Sequence, residues 1–398
     1  MDLDLWSPRL VAGCAPEEKC SELLESGDAL FAHLCRAKRL GAGMLATPTG
    51  AASQTLLRQG GLEEQMEQIN TDLAQMTRKA AGTDCLVAGT IAPAGLELEP
   101  FGETSFTELM ACYRRQGNYL AKAGVDCFLV ETQNGLQYAR CAVLALRKLN
   151  LPVIASVRLD QDGELRHGGT ALNAVTVLQA LGVSAFGIRG DYDRDFLEEL
   201  LGQMADLARV PLMVQPAKYR MEEEELCPLT QQELQQHCAR LLDLGATLLY
   251  CAAGGQRLAV PGKAVAEFAQ RGVRHRPAPG DPDQVVLADA WEIYDLDYDR
   301  LELGPPLPCT ADMSSVLMGQ ELGGFDVVRI EINSPEDAQD FAQNEYMAHL
   351  PVCFLSHDEI SLKLALMLYN GIALVDSQSS LPRKTLEKIA AKYGAIVY

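Results

Sequence analysis

The amino-acid sequence predicts a (β/α)8 TIM barrel followed by a small C-terminal α/β domain. From residue 8 to about 271, short apolar runs rich in β-branched residues alternate with stretches of helical period, and the apolar runs number eight. Apolar strands separated by helices are typical of a parallel sheet covered on its outside, and eight units close a barrel. The 398 residues of the chain exceed the roughly 250 that one barrel needs, so a second domain is expected.

The eight predicted strands share an apolar centre and a polar or glycine-containing end, and they are residues 9–15, 43–49, 85–91, 127–132, 152–157, 185–189, 211–215 and 247–253. Before the sixth and eighth strands, LGVSAFGI and LGATLLY place Gly182 and Gly245 directly after a helix, where glycine is the usual stop. An open doubly wound sheet is the alternative architecture, since it too alternates strands with helices.

A domain boundary is predicted in RGVRHRPAPGDPD, residues 271–283, which is dense in Pro, Gly and Arg. The barrel is therefore assigned to residues 1–275 and the second domain to residues 284–398. In the second domain, strands are predicted at 284–296, 325–332, 351–356, 372–377 and 395–398, and helices at 334–348, 358–369 and 382–393. This domain of about 115 residues is too short for a second barrel.

The composition excludes several classes of partner. A formal net charge of −20 opposes binding to nucleic acid or to an anionic membrane surface, and no apolar run reaches the ~20 residues of a membrane span. The start MDLDLWSPRL lacks a secretory leader, so a cytoplasmic location is expected. Most of the twelve cysteines occur singly in apolar runs, where a reduced cysteine acts as a small hydrophobic residue. Small molecules or proteins are the expected partners.

Candidate functional residues are those at the C-terminal ends of the strands, because barrel active sites lie there. Glu131 closes the apolar run CFLV, where a carboxylate is costly to bury unless it is paired. It can bind an amine or another cation, or form a salt bridge with Arg158. Arg189 can bind a carboxylate or phosphate through its forked guanidinium, or pair with Asp191. The other polar strand-end positions are Cys14, Thr47, Thr49, Thr90, Thr132, Ser156, Gln215 and Cys251.

Residues 219–233, YRMEEEELCPLTQQE, form a long and strongly acidic segment after the seventh strand. A solvated charged loop, a lid and a partner-binding surface are all compatible with this composition.

Five segments resemble the homocysteine S-methyltransferase family in order and spacing: VAGTIAP, AKAGVDCFLVET, LPVIASVRLDQDGELRHGG, AFGIRGD and LGATLLYCAAGG. The resemblance covers roughly residues 8 to 270. It implies a barrel that delivers a methyl group to the thiolate of homocysteine, with zinc bound by one cysteine after the sixth strand and a cysteine pair after the eighth. Glu131 and Thr132 match the family's Glu-Thr among the polar substrate contacts.

This sequence departs from the family at all three zinc-ligand positions, which are occupied by Gly190, Ala252 and Ala253. Glycine and alanine side chains neither bind Zn²⁺ nor allow it to lower the pKa of an incoming thiol. We therefore expect no cofactor and no zinc-dependent methylation of homocysteine; zinc is the cofactor only if this alignment is wrong. Cys14, Cys251 and His167 are the one alternative set of metal ligands.

The resemblance thus implies a protein that binds a small amino acid or a methylated metabolite at the barrel mouth, and a methyltransferase if it is active at all. The predicted substrate-binding residues are Glu131, Thr132, Ser156, Arg158, Arg189 and Asp191, with Glu131 holding an ammonium group and Arg189 an anion. The alternative is a non-catalytic barrel that serves as a structural or regulatory partner of a corrinoid protein or a methyltransferase. Residues 350–379 of the tail weakly resemble part of a pterin-binding barrel.

Overall fold

The structure is a computed structural model that describes residues 3–13, 27–133, 135–222, 225–252, 258–277, 280–281, 283–321 and 323–398. Its residues form two compact units. The barrel unit comprises Met1–Arg166 and Val183–Ala278, and the C-terminal unit comprises His167–Gly182 and Pro279–Tyr398. Within the described ranges, no helix is both long and apolar enough to cross a membrane.

Eight parallel strands close into a barrel, as predicted, and the open-sheet alternative is wrong. The strands of this unit are β1 (Arg9–Gly13), β2 (Ala42–Ala46), β3 (Leu86–Ile91), β4 (Cys127–Gln133), β5 (Val153–Val157), β6 (Ala185–Ile188), β7 (Leu212–Val214), β8 (Tyr219–Glu222), β9 (Glu225–Pro228) and β10 (Ala246–Ala252). The barrel order is β1-β10-β7-β6-β5-β4-β3-β2. Closure comes from β1, which pairs with β2 on one side and with β10 on the other.

Helices join the barrel strands, and their ends follow the local sequence. Ser105 and Glu108 form a capping box at the start of α4 (Phe106–Lys122), and Thr230 and Glu233 form one at the start of α8 (Gln231–Asp243). Gly245 follows α8 with a positive φ of 124°, the left-handed conformation that the sequence predicted for a glycine stop. The helices are α1 (Gly27–Arg39), α2 (Gln54–Gln59), α3 (Met66–Ala81), α4 (Phe106–Lys122), α5 (Leu136–Leu146), α6 (Ala171–Ala180), α7 (Arg194–Leu207), α8 (Gln231–Asp243) and α9 (Ala259–Gln270), and α6 belongs to the C-terminal unit.

Alternate residues of the barrel strands point into its interior and pack there as one apolar cluster. Its buried members are Leu5, Val11, Met44, Ala46, Ala88, Cys127, Leu129, Ile154, Ala185, Met213, Leu248 and Tyr250. Because the strand period is two, the next inward positions toward the C-terminal mouth are Gly13, Thr90, Glu131 and Ser156, and on β6 Arg189 lies one step further, after Gly187. The fold thus gathers residues from five different strand ends at the mouth.

The acidic segment 219–233 contains a hairpin. Strands β8 and β9 pair antiparallel, with Met221 opposite Leu226, and α8 begins at Gln231. Arg220 pairs with Glu222 at 2.7 Å and with Glu233 at 3.3 Å, so part of the acidic charge is neutralised locally.

The C-terminal unit contains a five-stranded parallel sheet and a two-stranded hairpin. Its strands are β11 (Gln284–Ala288), β12 (Ile293–Asp297), β13 (Leu303–Pro308), β14 (Val327–Glu331), β15 (Val352–Leu355), β16 (Leu374–Val375) and β17 (Ile396–Val397). The sheet has the order β13-β14-β15-β16-β17, and β11 and β12 form the hairpin. Its other helices are α10 (Ser314–Glu321), α11 (Pro335–Asn344), α12 (Glu359–Leu368) and α13 (Arg383–Tyr393).

Two features of this unit correct the sequence analysis. Residues 284–296, predicted as one strand, form a hairpin, because the Asp289 carboxylate accepts hydrogen bonds from the backbone of Trp291 and Glu292, each at 2.7 Å, and fixes a turn. Strand β13 and helix α10 were not predicted. The sequence of β13, LGPPLP, contains prolines that argue against a central strand, and the structure places it at the edge of the sheet.

Candidate functional site

A buried cluster of three side chains lies at the mouth of the barrel. The guanidinium of Arg189 forms an ion pair with the carboxylate of Glu131, and the two side chains are 3% and 4% exposed. The hydroxyl of Tyr250 donates a hydrogen bond of 3.1 Å to Glu131 Oε1, and the Tyr250 ring centroid lies 3.6 Å from Arg189 Cζ. Tyr250 therefore contacts both charged partners at once.

Burial makes this pair sensitive to the loss of either partner. Removing one charge of a buried pair typically destabilises a protein by about 3–5 kcal/mol, because the other charge is left in a medium that solvates it poorly. The stacking of a guanidinium on a tyrosine ring adds about 2 kcal/mol where water is excluded. The Nε of Arg189 is buried and has no hydrogen-bond acceptor among the described residues. The guanidinium thus keeps an unused donor at the mouth.

The ion pairs differ from the two that the sequence suggested. Arg158 lies just beyond the end of β5 with an exposed side chain, so it does not pair with Glu131. Asp191 pairs with Lys218 at 2.7 Å, and both are half exposed. Arg189 instead reaches from the end of β6 past β5 to the end of β4, where it pairs with Glu131, for which the sequence suggested Arg158 as the partner. Both suggested pairings, Glu131 with Arg158 and Arg189 with Asp191, are therefore wrong.

Hydroxyl groups beside this cluster form hydrogen bonds between neighbouring strand ends. Ser156 Oγ donates to the carbonyl of Val130 at 3.0 Å. Thr49 Oγ1 lies 2.7 Å from Thr47 Oγ1 and donates to the carbonyl of Thr90 at 2.8 Å. These bonds link β4 to β5 and β2 to β3, so the hydroxyls have a structural role. The side chain of Thr132 lies outside the described residues.

Gly190 and Ala252, two of the predicted zinc-ligand positions, carry no side-chain atom that can bind zinc. A Cβ atom at Gly190 would lie 2.5 Å from Cζ of Tyr192 and 2.6 Å from its hydroxyl oxygen, so even an alanine has no room there. Tyr192 is held in this place because its hydroxyl accepts a hydrogen bond of 2.7 Å from the backbone of Leu159. Ala252 ends β10 and has no donor atom for a metal, and Ala253 lies outside the described residues. Within the part of the chain that the structure describes, no three His, Cys, Asp or Glu side chains are grouped to bind a metal.

The alternative set of metal ligands is only partly described. Cys14 lies outside the described residues, His167 belongs to the C-terminal unit, and Cys251 belongs to the barrel unit. Burial raises the pKa of Cys251 to about 12, which keeps its thiol protonated near neutral pH. A protonated thiol is a poor metal ligand.

A small cavity of about 190 Å³ lies beside the cluster, between the end of β7 and the end of β10. Most of its lining is apolar, and the polar groups at it come from Gln215, Lys218 and Tyr250. Gln215 Nε2 donates to the carbonyl of Gly190 at 3.2 Å and to Asp191 Oδ1 at 3.4 Å. The cavity is smaller than the roughly 300 Å³ typical of the smallest ligand pockets.

Sequence reasoning missed His237, which anchors one wall of this cavity. Its Nδ1 lies 2.7 Å from Glu198 Oε1, and its Nε2 accepts a hydrogen bond of 3.1 Å from the backbone N–H of Ala217. An Nε2 that accepts is unprotonated, so the neutral ring donates through Nδ1 to Glu198. Burial lowers the pKa of His237 and so favours this neutral form. The sequence did not indicate the bond between His237 and Ala217, because a histidine within a helical pattern does not by itself reveal its hydrogen-bond partner. Tyr250 was predicted only as an apolar residue of a strand, and its bond to Glu131 was missed as well.

A sequence model of the family described as "Homocysteine S-methyltransferase" matches residues 3–255, more than half of the chain. Methionine synthase of Mycobacterium tuberculosis is 28% identical over 136 residues, which cover 33% of this chain and 11% of that protein. Methionine synthase of Mycobacterium leprae is 26% identical over 157 residues, covering 35% and 13%. The chain therefore matches only a small part of the length of these two relatives.

Solved structures of a homocysteine methyltransferase, MmuM from Escherichia coli, share the fold. Its metallated form superposes with a TM-score of 0.54 at 20% identity, covering 65% of this chain and 96% of that protein. Its oxidized form gives a TM-score of 0.52 at 21% identity, covering 64% and 94%.

Proposed function

This chain belongs to the homocysteine S-methyltransferase family, and from that we propose that it is a family barrel that binds a small amino acid or methylated metabolite at its mouth without zinc-dependent thiol methylation. The observation that carries this proposal is the position of Tyr192, whose ring occupies the space where a side chain at residue 190 would have to reach a metal. A cysteine at 190 would require Tyr192 to move.

The charge at the mouth supports the same proposal. Arg189 precedes the first zinc-ligand position and brings a fixed positive charge into the barrel interior. A divalent cation bound nearby would have to compete with Arg189 for the carboxylate of Glu131, and Ala252 supplies no thiolate ligand for it. Without zinc, an incoming thiol keeps its ordinary pKa and is mostly protonated at neutral pH. Thiol activation through a metal is therefore lost in this proposal.

A zwitterionic ligand suits the charges that remain. Glu131 and Arg189 carry opposite charges at one place in the mouth. An α-amino acid can take both partners, its ammonium group on Glu131 and its carboxylate on Arg189, when the internal pair opens. The net charge of the mouth is unchanged by such an exchange, so no isolated charge is buried. Thr132, Ser156, Arg158 and Asp191 remain the other proposed contacts at this rim.

Zinc analysis tests the loss of metal chemistry. We expect purified protein, saturated with zinc and then freed of unbound metal, to retain far less than one zinc per chain by mass spectrometry, because the three ligand positions offer no sulfur. About one tightly bound zinc per chain would overturn the proposal. Calorimetry with homocysteine, methionine and methylated amines tests ligand binding, and the double variant Glu131→Gln/Arg189→Ala, which leaves neither charge of the buried pair uncompensated, should abolish any binding observed.

A second function is favoured by one observation. Glu131 already forms an ion pair with Arg189 of the same chain, so its charge is balanced without a ligand. This suits a non-catalytic barrel that acts as a structural or regulatory partner of a corrinoid protein or a methyltransferase. Absence of small-molecule binding, together with a stoichiometric complex with such a protein in size-exclusion chromatography, would favour this function over the first.

A further inference from the structure

We propose that Glu131 and Tyr250 form a binding site for an organic cation, guanidinium or ammonium, and that Arg189 of the same chain occupies this site as an internal ligand. The inference rests on the proposed function in one respect, that the ligand site lies at the barrel mouth. It adds that the site is closed to external cations as long as Arg189 stays in place.

The contacts of Arg189 are those of a bound cation. Its guanidinium meets a carboxylate at one edge and an aromatic face at 3.6 Å, the two groups that together recognise guanidinium and ammonium ligands. The carboxylate is in turn oriented by the Tyr250 hydroxyl at 3.1 Å. The site is therefore assembled from β4 and β10, whereas the cation comes from the end of β6.

The site is built into the barrel wall independently of Arg189. Tyr250 reaches its position because β1 ends in Gly13, where a Cβ atom would lie 2.1 Å from the Tyr250 hydroxyl oxygen. Any larger residue at 13 would push the ring away from Glu131. Both the carboxylate and the ring are thus fixed by the strands that carry them.

The fit of Arg189 in this site is incomplete. Its Nε–H is buried without an acceptor among the described residues, and leaving a buried donor unpaired costs about 1–3 kcal/mol. A small free cation can turn to aim its N–H groups at Glu131, whereas a guanidinium tethered to β6 cannot. An external cation can therefore use the site once the side chain of Arg189 is removed.

The test is chemical complementation of Arg189→Ala. We expect methylguanidinium, added at millimolar concentration, to raise the unfolding midpoint of R189A saturably by roughly 2–4 °C when it exceeds its Kd about tenfold. Methylammonium should act in the same way, and sodium chloride at equal ionic strength should not. The wild type and Arg300→Ala, which removes an exposed arginine of the C-terminal unit, should show no such shift.

The double variant Glu131→Gln/Arg189→Ala decides the remaining outcomes. It removes both buried charges of this pair and leaves neither partner uncompensated, so we expect it to fold and to show no response to methylguanidinium. If R189A folds and does not respond, the inference is overturned. If R189A is insoluble even when it is produced with the cation, while the double variant folds, the inference is overturned as well. Bound zinc or failed amino-acid binding in the wild type would contradict the proposed function without touching this result.

Discussion

At the scale of single residues, Gly13 determines where Tyr250 lies. A methyl group at this position would overlap the Tyr250 hydroxyl, which is fully buried and hydrogen-bonded to Glu131. We expect Gly13→Ala to destabilise the protein by about 1–3 kcal/mol, because overpacking a filled core forces side chains out of their preferred conformations. Urea unfolding followed by tyrosine and tryptophan fluorescence measures the change.

Gly202 provides a matched control for this substitution. It lies within α7, and a Cβ atom there would meet no heavy atom within 4 Å. Gly202→Ala should stabilise the protein by about 0.5–1 kcal/mol, since alanine loses less backbone entropy in a helix. Equal effects of the two substitutions would show that the space around Gly13 is not what the contact distances indicate.

At the scale of elements, His237 connects α8 to the corner between β7 and β8. Its neutral ring accepts the backbone N–H of Ala217, and protonation of Nε2 would replace this hydrogen bond with two opposed donors. Burial lowers the pKa of His237, although Glu198 opposes this effect and Arg194 adds to it. In the unfolded chain the imidazole has its ordinary pKa near 6.5.

We expect this histidine to make the protein less stable in mild acid. As the pH decreases below about 6.5, His237 becomes protonated in the unfolded chain but stays neutral in the folded protein. The free energy of unfolding therefore decreases as the pH decreases, until the lowered pKa of the folded protein is reached. One group contributes at most about 1.4 kcal/mol per pH unit to this slope. His237→Gln should flatten the slope in unfolding experiments between pH 7 and 5. His33→Gln controls for the loss of a histidine, and identical slopes in both variants would refute the assignment.

The elements themselves were largely predictable, because they depend on neighbours in sequence. All eight barrel strands form where the apolar runs are, and Gly182 and Gly245 follow helices with positive φ. The failures have local causes as well. The region 284–296 was predicted as one strand, but the Asp289 carboxylate fixes a turn within it and gives a hairpin. The edge strand β13 was not predicted because its sequence contains prolines. The hairpin β8-β9 was concealed by acidic residues that strands usually avoid.

At the scale of the whole molecule, the net charge of −20 is the dominant electrostatic feature. An excess of like charge destabilises the compact state, and salt screens it over a Debye length of about 10 Å at 0.1 M. We therefore expect the unfolding midpoint to rise as sodium chloride is increased from near zero to 0.3 M. A fall would mean that screening weakens the surface ion pairs more than it relieves the repulsion. Sucrose at equal osmolality controls for excluded-solute effects.

The sequence by itself determined the (β/α)8 barrel, the sheet-containing tail and the family, because strand and helix periods, glycine stops and strand ends are recorded in consecutive residues. It also placed Glu131 and Arg189 at the mouth. Only the tertiary structure decided that these two pair with each other past the intervening strand β5, that Tyr250 joins them, and that Tyr192 fills the space beside Gly190. The physical reason is that barrel closure brings together side chains far apart in sequence, and a side chain long enough to reach beyond the neighbouring strand selects its partner by distance and charge rather than by strand order.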